Sequence, residues 1–173
     1  MTSPQVHLRF GDESLEPNLA EWPLDRQQIQ ACCHEALMTQ ARQGFAGVDT
    51  IELSLQLLDS QAMQALNEQY RGKNVPTNVL SFESEMPVLH HETAGSLLVL
   101  GDLVLCPDVL VKEAGEQRKA CAQHWAHMLV HGTLHLCGYD HVDPDEARIM
   151  ENLEIQILSV FDYPDPYQLQ TLQ

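Results

Sequence analysis

Hydrophobic positions along the chain repeat with two periods, and the places where the period changes outline its elements. Ile51, Leu53, Leu55 and Leu57 alternate with Glu52, Ser54 and Gln56, the period of two that predicts a half-buried strand. Val6, Leu8 and Phe10 alternate with His7 and Arg9 and predict a shorter one. Val79 to Phe82 reads as a short buried strand. Leu97 to Leu105 is an apolar run, broken by Gly101-Asp102, that predicts one or two more. Elsewhere the period is helical. Ile29, Cys32, Cys33, Ala36 and Leu37 form an amphipathic stripe behind a capping box of Asp25 and Gln28, with Gly44 and Gly47 closing it. Ala62, Met63, Leu66 and Tyr70 mark a second helix, capped by Asp59 or Ser60. Pro107 opens a helical region. A long helix follows from about Gln117 to Cys137, with Trp125, Met128, Leu129 and Leu136 as its core stripe and Gly132 on the same face. Asp143-Pro144-Asp145-Glu146 supplies an N-cap, a first-turn Pro and a Glu. It starts a last helix that turns Met150, Leu153, Ile157 and Val160 inward and stops at Pro164 and Pro166. Residues 11–24 and 83–95 read as connections, the second exposing His90 and His91, and the tail from about 164 to 173 as frayed. Strands and helices intermixed in this way predict an α/β (α+β) fold, a single domain over residues 1–173 with one small mixed sheet surrounded by helices.

Composition fits that picture. Hydrophobic residues make up 44% of 173, enough for a sizeable core, and no apolar run reaches membrane-spanning length. The five cysteines are irregularly spaced, and the opening residues lack the basic and apolar regions of a secretion signal. Reduced thiols in a cytosol are therefore expected. The net charge of −16 makes the chain a poor general binder of nucleic acid, so any such role must rest on a local basic site.

The chemistry concentrates in His131-Gly-Thr-Leu-His135-Leu-Cys-Gly138-Tyr-Asp-His141. His131 and His135 are four residues apart, which on a helix stacks both imidazoles on one face. Gly138 follows where a helix ends, and the turn can bring His141 to the same point. Three imidazoles with one position left open are the ligand set of a catalytic zinc; a structural site would need a fourth protein ligand. Cys137 could be offered as that ligand, but helix packing suits it better. The spacing equals that of the metzincin proteases, except that their general-base Glu is Gly132 here. The motif therefore argues for metal-assisted hydrolysis and against an ordinary protease. His124 and His127 continue the same stripe and are candidates for the cleft wall rather than ligands.

Two further positions bear on the site. From Gln69 to Phe82 the chain has no acid, and Arg71 and Lys73 give a cationic loop, either a phosphate contact or a solvated turn. Asp102 stands inside an apolar run, where an unpaired acid costs free energy. Either it orients a histidine or an arginine near the site, or a bulge at Gly101 exposes it.

Leu66-Asn-Glu-Gln-Tyr-Arg71-Gly-Lys-Asn-Val-Pro-Thr-Asn-Val-Leu-Ser-Phe82, Leu100-Gly-Asp102-Leu-Val-Leu and the three-histidine block together resemble the signatures of the YbeY family over roughly residues 66 to 141. The resemblance implies a small α/β domain with a zincin-like metal helix. It implies one Zn2+ held by His131, His135 and His141, with Arg71 as the catalytic arginine. It also implies an endoribonuclease of single-stranded RNA in the cytoplasm. Its work there would be 16S rRNA 3′ end maturation and ribosome quality control, with the small ribosomal subunit and assembly proteins as partners. Chemistry suits this reading, because an arginine fork matches phosphate oxygens. Two alternatives remain. One is a metallo-hydrolase of another substrate, such as an atypical peptidase, against which Gly132 counts. The other is a zinc-stabilised, non-enzymatic ribosome-assembly factor, against which the missing fourth protein ligand counts.

Overall fold

A computed structural model describes residues 4–11, 22–41 and 45–168. The loop expected over residues 12–21, the helix closure at Gly44 and the tail beyond residue 168 lie outside the described residues. In chain order the elements are β1 (Gln5–Phe10), α1 (Arg26–Ala41), β2 (Thr50–Leu57), α2 (Ser60–Arg71), β3 (Val79–Glu83), β4 (Leu89–His91), β5 (Gly95–Leu105), α3 (Pro107–Glu116), α4 (Cys121–Leu136) and α5 (Pro144–Ser159).

The alternation in β2 does what its period requires: Ile51, Leu53, Leu55 and Leu57 are all buried. β2 lies between β1 and β5, parallel to both. β3 and β4 pair antiparallel with β5, giving a mixed sheet of order β1-β2-β5-β3 with β4 beside β5. This is the α/β fold that the hydrophobic pattern predicts. The run 97–105 belongs to one strand, not two. Glu52 is opposite Val99 while Leu53 is opposite Gly101, so Leu100 is an extra residue and the strand bulges there. Gly101 has φ +148, and a Cβ on it would run into the Phe82 carbonyl oxygen.

The bulge decides which side chains face which layer. One face of the sheet packs on α1 and α4 through a core that includes Ile29, Leu37, Leu53, Leu103, Trp125 and Leu129. The other face carries a smaller cluster of Met63, Leu80, Val104 and Cys106 beneath α2. Gly132 explains how closely α4 approaches the sheet. A Cβ there would stand 2.8 Å from Leu103 Cδ2 and 3.1 Å from Val79 Cγ2, and Ser81 Oγ donates to the Gly132 carbonyl at 2.9 Å.

Local capping sets several element ends. Asp25 and Gln28 form the reciprocal capping box, at 2.9 and 2.8 Å. Asp143 accepts from Asp145 N and Glu146 N to start α5. The long helix expected from about Gln117 to Cys137 is a single helix that starts later, at Cys121. α3 ends at Glu116, Arg118 takes a left-handed φ of 54, and α4 starts at Cys121. Val160, assigned inward, is 60% exposed, and of the apolar positions that mark α2 both Ala62 and Tyr70 are exposed. In α2 the buried place is taken by Asn67, whose Nδ2 donates to the Val75 carbonyl at 2.7 Å. That bond ties down the loop after Gly72, itself the left-handed cap of α2 at φ 67. Arg71 is thereby fixed as the last residue of α2, with its side chain in the open.

Candidate metal centre

The end of α4 builds the site. His131 and His135 sit one turn apart on it, and Gly138 at φ 91 turns the chain back, with Gly138 N bonded to the His135 carbonyl at 2.9 Å and Tyr139 N to that of Leu134 at 3.1 Å. The turn brings the His141 ring to 5.4 Å from that of His131 and 4.9 Å from that of His135, centroid to centroid. One ring nitrogen from each of the three lies within 4.8 Å of the others.

The hydrogen-bond network assigns the tautomers. The His135 Nδ1–H donates to the Tyr139 carbonyl at 2.8 Å, and a carbonyl can only accept. The His131 Nδ1–H donates to Glu154 Oε1 at 2.5 Å. Each imidazole, when neutral, therefore turns a bare Nε2 lone pair toward the other, and the two nitrogens stand 3.1 Å apart. Two acceptors at that distance repel unless a cation lies between them. Ligand bonds of zinc length in a tetrahedron put two nitrogens about 3.3 Å apart. Burial, and then the neighbouring His131, lowers the His135 pKa and favours the neutral form a metal needs. The residues fit a zinc ion.

Glu154 on α5 is the residue that sequence reasoning missed. It is 0% exposed, and its carboxylate takes His131 on one oxygen and His127 Nε2, at 2.9 Å, on the other. Burial alone would raise its pKa, but hydrogen bonds from His127 and His131 bring it down to about 2, so it is an anion. A carboxylate behind a ligating histidine fixes the ring and raises its basicity. Its distances to His127 and His131 are those of charge-assisted hydrogen bonds rather than of a second metal cage. A signal was present in the sequence: Glu154 falls on the buried stripe of α5 with Met150, Ile157 and Leu158.

A cleft of about 830 Å³ opens over the histidines, with Arg71, Lys73 and Asn78 on its wall and Glu83 and Asp140 also lining it. The structure thus brings Arg71 together with His131, His135 and His141. The Arg71 guanidinium is exposed and makes no ion pair with any described residue. Two expectations are corrected. Asp102 does not join the site: Gly101 and Leu103 point toward α4, so Asp102 falls on the opposite face, exposed. The bulge-exposed reading is the right one, and Glu154 holds the histidine instead. His124 and His127 are not cleft wall but interior, 2% and 7% exposed, each paired with a carboxylate. Cys137 is not among the grouped ligand atoms, and burial pushes its thiol up to about 12, which suits packing.

Comparison with known proteins bears on this arrangement. A family model described as Endoribonuclease YbeY matches residues 17–162. A protein of that name from Halorhodospira halophila is 46% identical over 145 residues, 83% of this chain and 88% of the relative. Another from Alcanivorax borkumensis is 49% identical over 116 residues, 67% of this chain and 66% of the relative. The solution structure of TM1509 from Thermotoga maritima shares the fold, with a TM-score of 0.51 at 19% identity, covering 98% of this chain and 100% of that one. With a family model matched over most of its length and relatives near half identity, the chain belongs to the YbeY family.

Proposed function

We propose that this chain is a zinc-dependent endoribonuclease that cuts single-stranded RNA, with His131, His135 and His141 holding one Zn2+ and Arg71 acting on the scissile phosphate. The observation that carries the reading is the pair of facing, proton-free Nε2 atoms in a cleft that also holds a guanidinium with no ion-pair partner among the described residues. The names of the two relatives give the substrate class.

When bound, the ion supplies Lewis acidity toward a phosphoryl oxygen and acidifies water at its open position. The chain's own residues do the rest. Glu154 and the Tyr139 carbonyl hold the Nδ1 protons of His131 and His135, keeping both Nε2 atoms available. Arg71 presents a planar fork of donors to the non-bridging oxygens of the phosphodiester, and Lys73 adds charge on the same wall. These two cations supply the local basic site that an acidic chain needs. We further propose 16S rRNA 3′ end maturation and ribosome quality control as the setting, in the cytoplasm, with the small ribosomal subunit as partner. The test is cleavage of single-stranded RNA by zinc-loaded protein with and without chelator. Cleavage that persists in chelator, or turnover of a peptide and no RNA, overturns the reading.

A further inference from the structure

The hydrogen bonds behind the three histidines continue past Glu154 and end on the C-terminal segment. After α5 the chain turns at Asp162, φ 60, and runs back toward α4. Pro166 is buried there, and its carbonyl accepts from Lys119 Nζ at 2.6 Å. Asp165 Oδ1 accepts from Tyr167 N at 2.8 Å. These contacts hold the Tyr167 ring edge-on to His127, centroids 5.4 Å apart, with its hydroxyl donating to Glu154 Oε2. Burial and the Glu154 carboxylate raise the phenol pKa, so the hydroxyl keeps its proton and remains a donor.

The Glu154 carboxylate thus has three donors and no freedom. Oε1 takes His131, while Oε2 takes both His127 and Tyr167. With one donor removed from Oε2, the carboxylate can rotate about its last bond, and the direction of the His131 ring loosens with it. An error there moves the Nε2 atom that faces His135.

We propose that Tyr167 is a positioning residue for the metal site: its hydroxyl fixes Glu154, and Glu154 fixes His131. The inference rests on the zinc reading above and not on the RNA reading. It makes metal affinity depend on a segment that contributes no ligand and lies 26 residues beyond His141. Loss of a partner behind a ligand usually weakens metal binding about 10- to 100-fold. Tyr167 acts one step further back, so its share falls near the lower end.

The experiment is a zinc titration of the full chain against a chromophoric chelator at neutral pH, with the cobalt(II) spectrum of each protein as a second readout. The proteins are wild type, Tyr167→Phe, Glu154→Gln and the double variant, each first shown to be folded. Tyr167→Phe keeps the ring and should raise the zinc Kd about tenfold. Glu154→Gln should raise it about tenfold or more and change the cobalt spectrum. The double variant should match Glu154→Gln to within about twofold, because the ring contact with His127 is kept in Phe and the lost hydroxyl acts on His131 through that carboxylate. A Tyr167→Phe protein with wild-type zinc Kd and cobalt spectrum overturns the proposal, even if its melting temperature falls. So does a double variant whose loss is the product of the two single losses. Wild-type protein that binds no zinc overturns this proposal and the metal reading together. Zinc binding as described without RNA cleavage overturns only the nuclease reading.

Discussion

Helix α4 carries two clusters of histidine, and they differ in what they leave unmatched. Toward its N-terminus, His124 gives Nε2 to Glu113 at 2.7 Å and His127 gives Nε2 to Glu154 at 2.9 Å. Asn78 adds its amide to Glu113 at 3.1 Å. Toward its C-terminus, His131 and His135 aim two bare nitrogens at one point, with His141 half exposed beside them and Arg71 across the cleft. The residue type is the same and the helical spacing runs through both. In the first cluster each Nε2 meets a carboxylate and is anchored as structure, although His124 Nδ1 is buried with no hydrogen-bond partner among the described residues. Imidazoles that converge on one another without a proton to share are waiting for a cation.

The sharpest way to break this comparison is to remove the histidines one at a time. His131→Ala, His135→Ala and His141→Ala should each weaken zinc binding by about a hundredfold or more, since a three-ligand site cannot spare one. His124→Ala should keep zinc near one per chain, and His127→Ala should do so too while weakening affinity about tenfold, because it removes one donor from Glu154. His124→Ala should instead lower unfolding free energy by about 2–3 kcal/mol, through the cavity and the unpaired Glu113. Elemental analysis and urea unfolding of the same five proteins decide it. Full zinc in any of the first three, or its loss in the last two, means the two clusters are wrongly divided.

Arg71 separates the clusters in another way, because at the open end its guanidinium forms no ion pair with any described residue. Arg71→Ala should leave fold and zinc content unchanged and reduce RNA cleavage by roughly a hundredfold, about 3 kcal/mol. Arg71→Lys should recover part, since an ammonium keeps the charge and loses the fork. Near-normal cleavage by folded, zinc-loaded Arg71→Ala removes Arg71 from the mechanism.

What could be read from the sequence divides along similar lines. The β2 alternation, the Asp25–Gln28 box and the Asp143 cap are local, because each is satisfied by residues within a few positions, and all three form. The clustering of His131, His135 and His141 was legible for the same reason: one helix turn and one glycine turn bring them together. The side of Asp102 depends on where β5 bulges against β2, a property of two strands far apart in sequence. Glu154 is tied to a histidine 23 residues away on another helix, and only its place on a buried stripe hinted at it. His124 and His127 looked like cleft wall because the stripe was treated as uniform, whereas α3 and α5 bury them. Nothing in Gln117–Ala120 is a glycine or proline, so the start of α4 at Cys121 rather than Gln117 had no local mark.

The face of α4 between the clusters offers a smaller effect. Gly132 occupies the protease-base position, but a Cβ there would meet Leu103, Val79 and Ser81. Gly132→Glu must place a carboxylate in that contact and should cost about 2–3 kcal/mol in urea unfolding, with no peptidase activity. A stable variant that hydrolyses casein would mean that Gly132 is not there for close packing.

The smallest effect concerns acid, and it tests whether the back cluster is matched as described. Burial by itself would raise the Glu113 pKa, but hydrogen bonds from His124 and Asn78, with Lys112 nearby, lower it below the ordinary 4.5. A depressed folded pKa means that the unfolded chain binds the proton more readily, so acid favours unfolding. The contribution from Glu113 is therefore fully present above about 4.5 and is lost as pH falls through the lower folded value. Glu113→Gln keeps the shape and cannot titrate. Unfolding by urea at pH values stepped downward from neutrality should show wild type more stable than Glu113→Gln at the start. The gap should close only on the acid side of the ordinary carboxyl range. Groups that do not touch residue 113 are the same in both proteins, so subtraction leaves Glu113 and its partner His124. A gap that stays constant into acid would show that the Glu113 carboxylate is not held by His124 and Asn78. The contrast between an anchored cluster and an open one would then lose its anchored half.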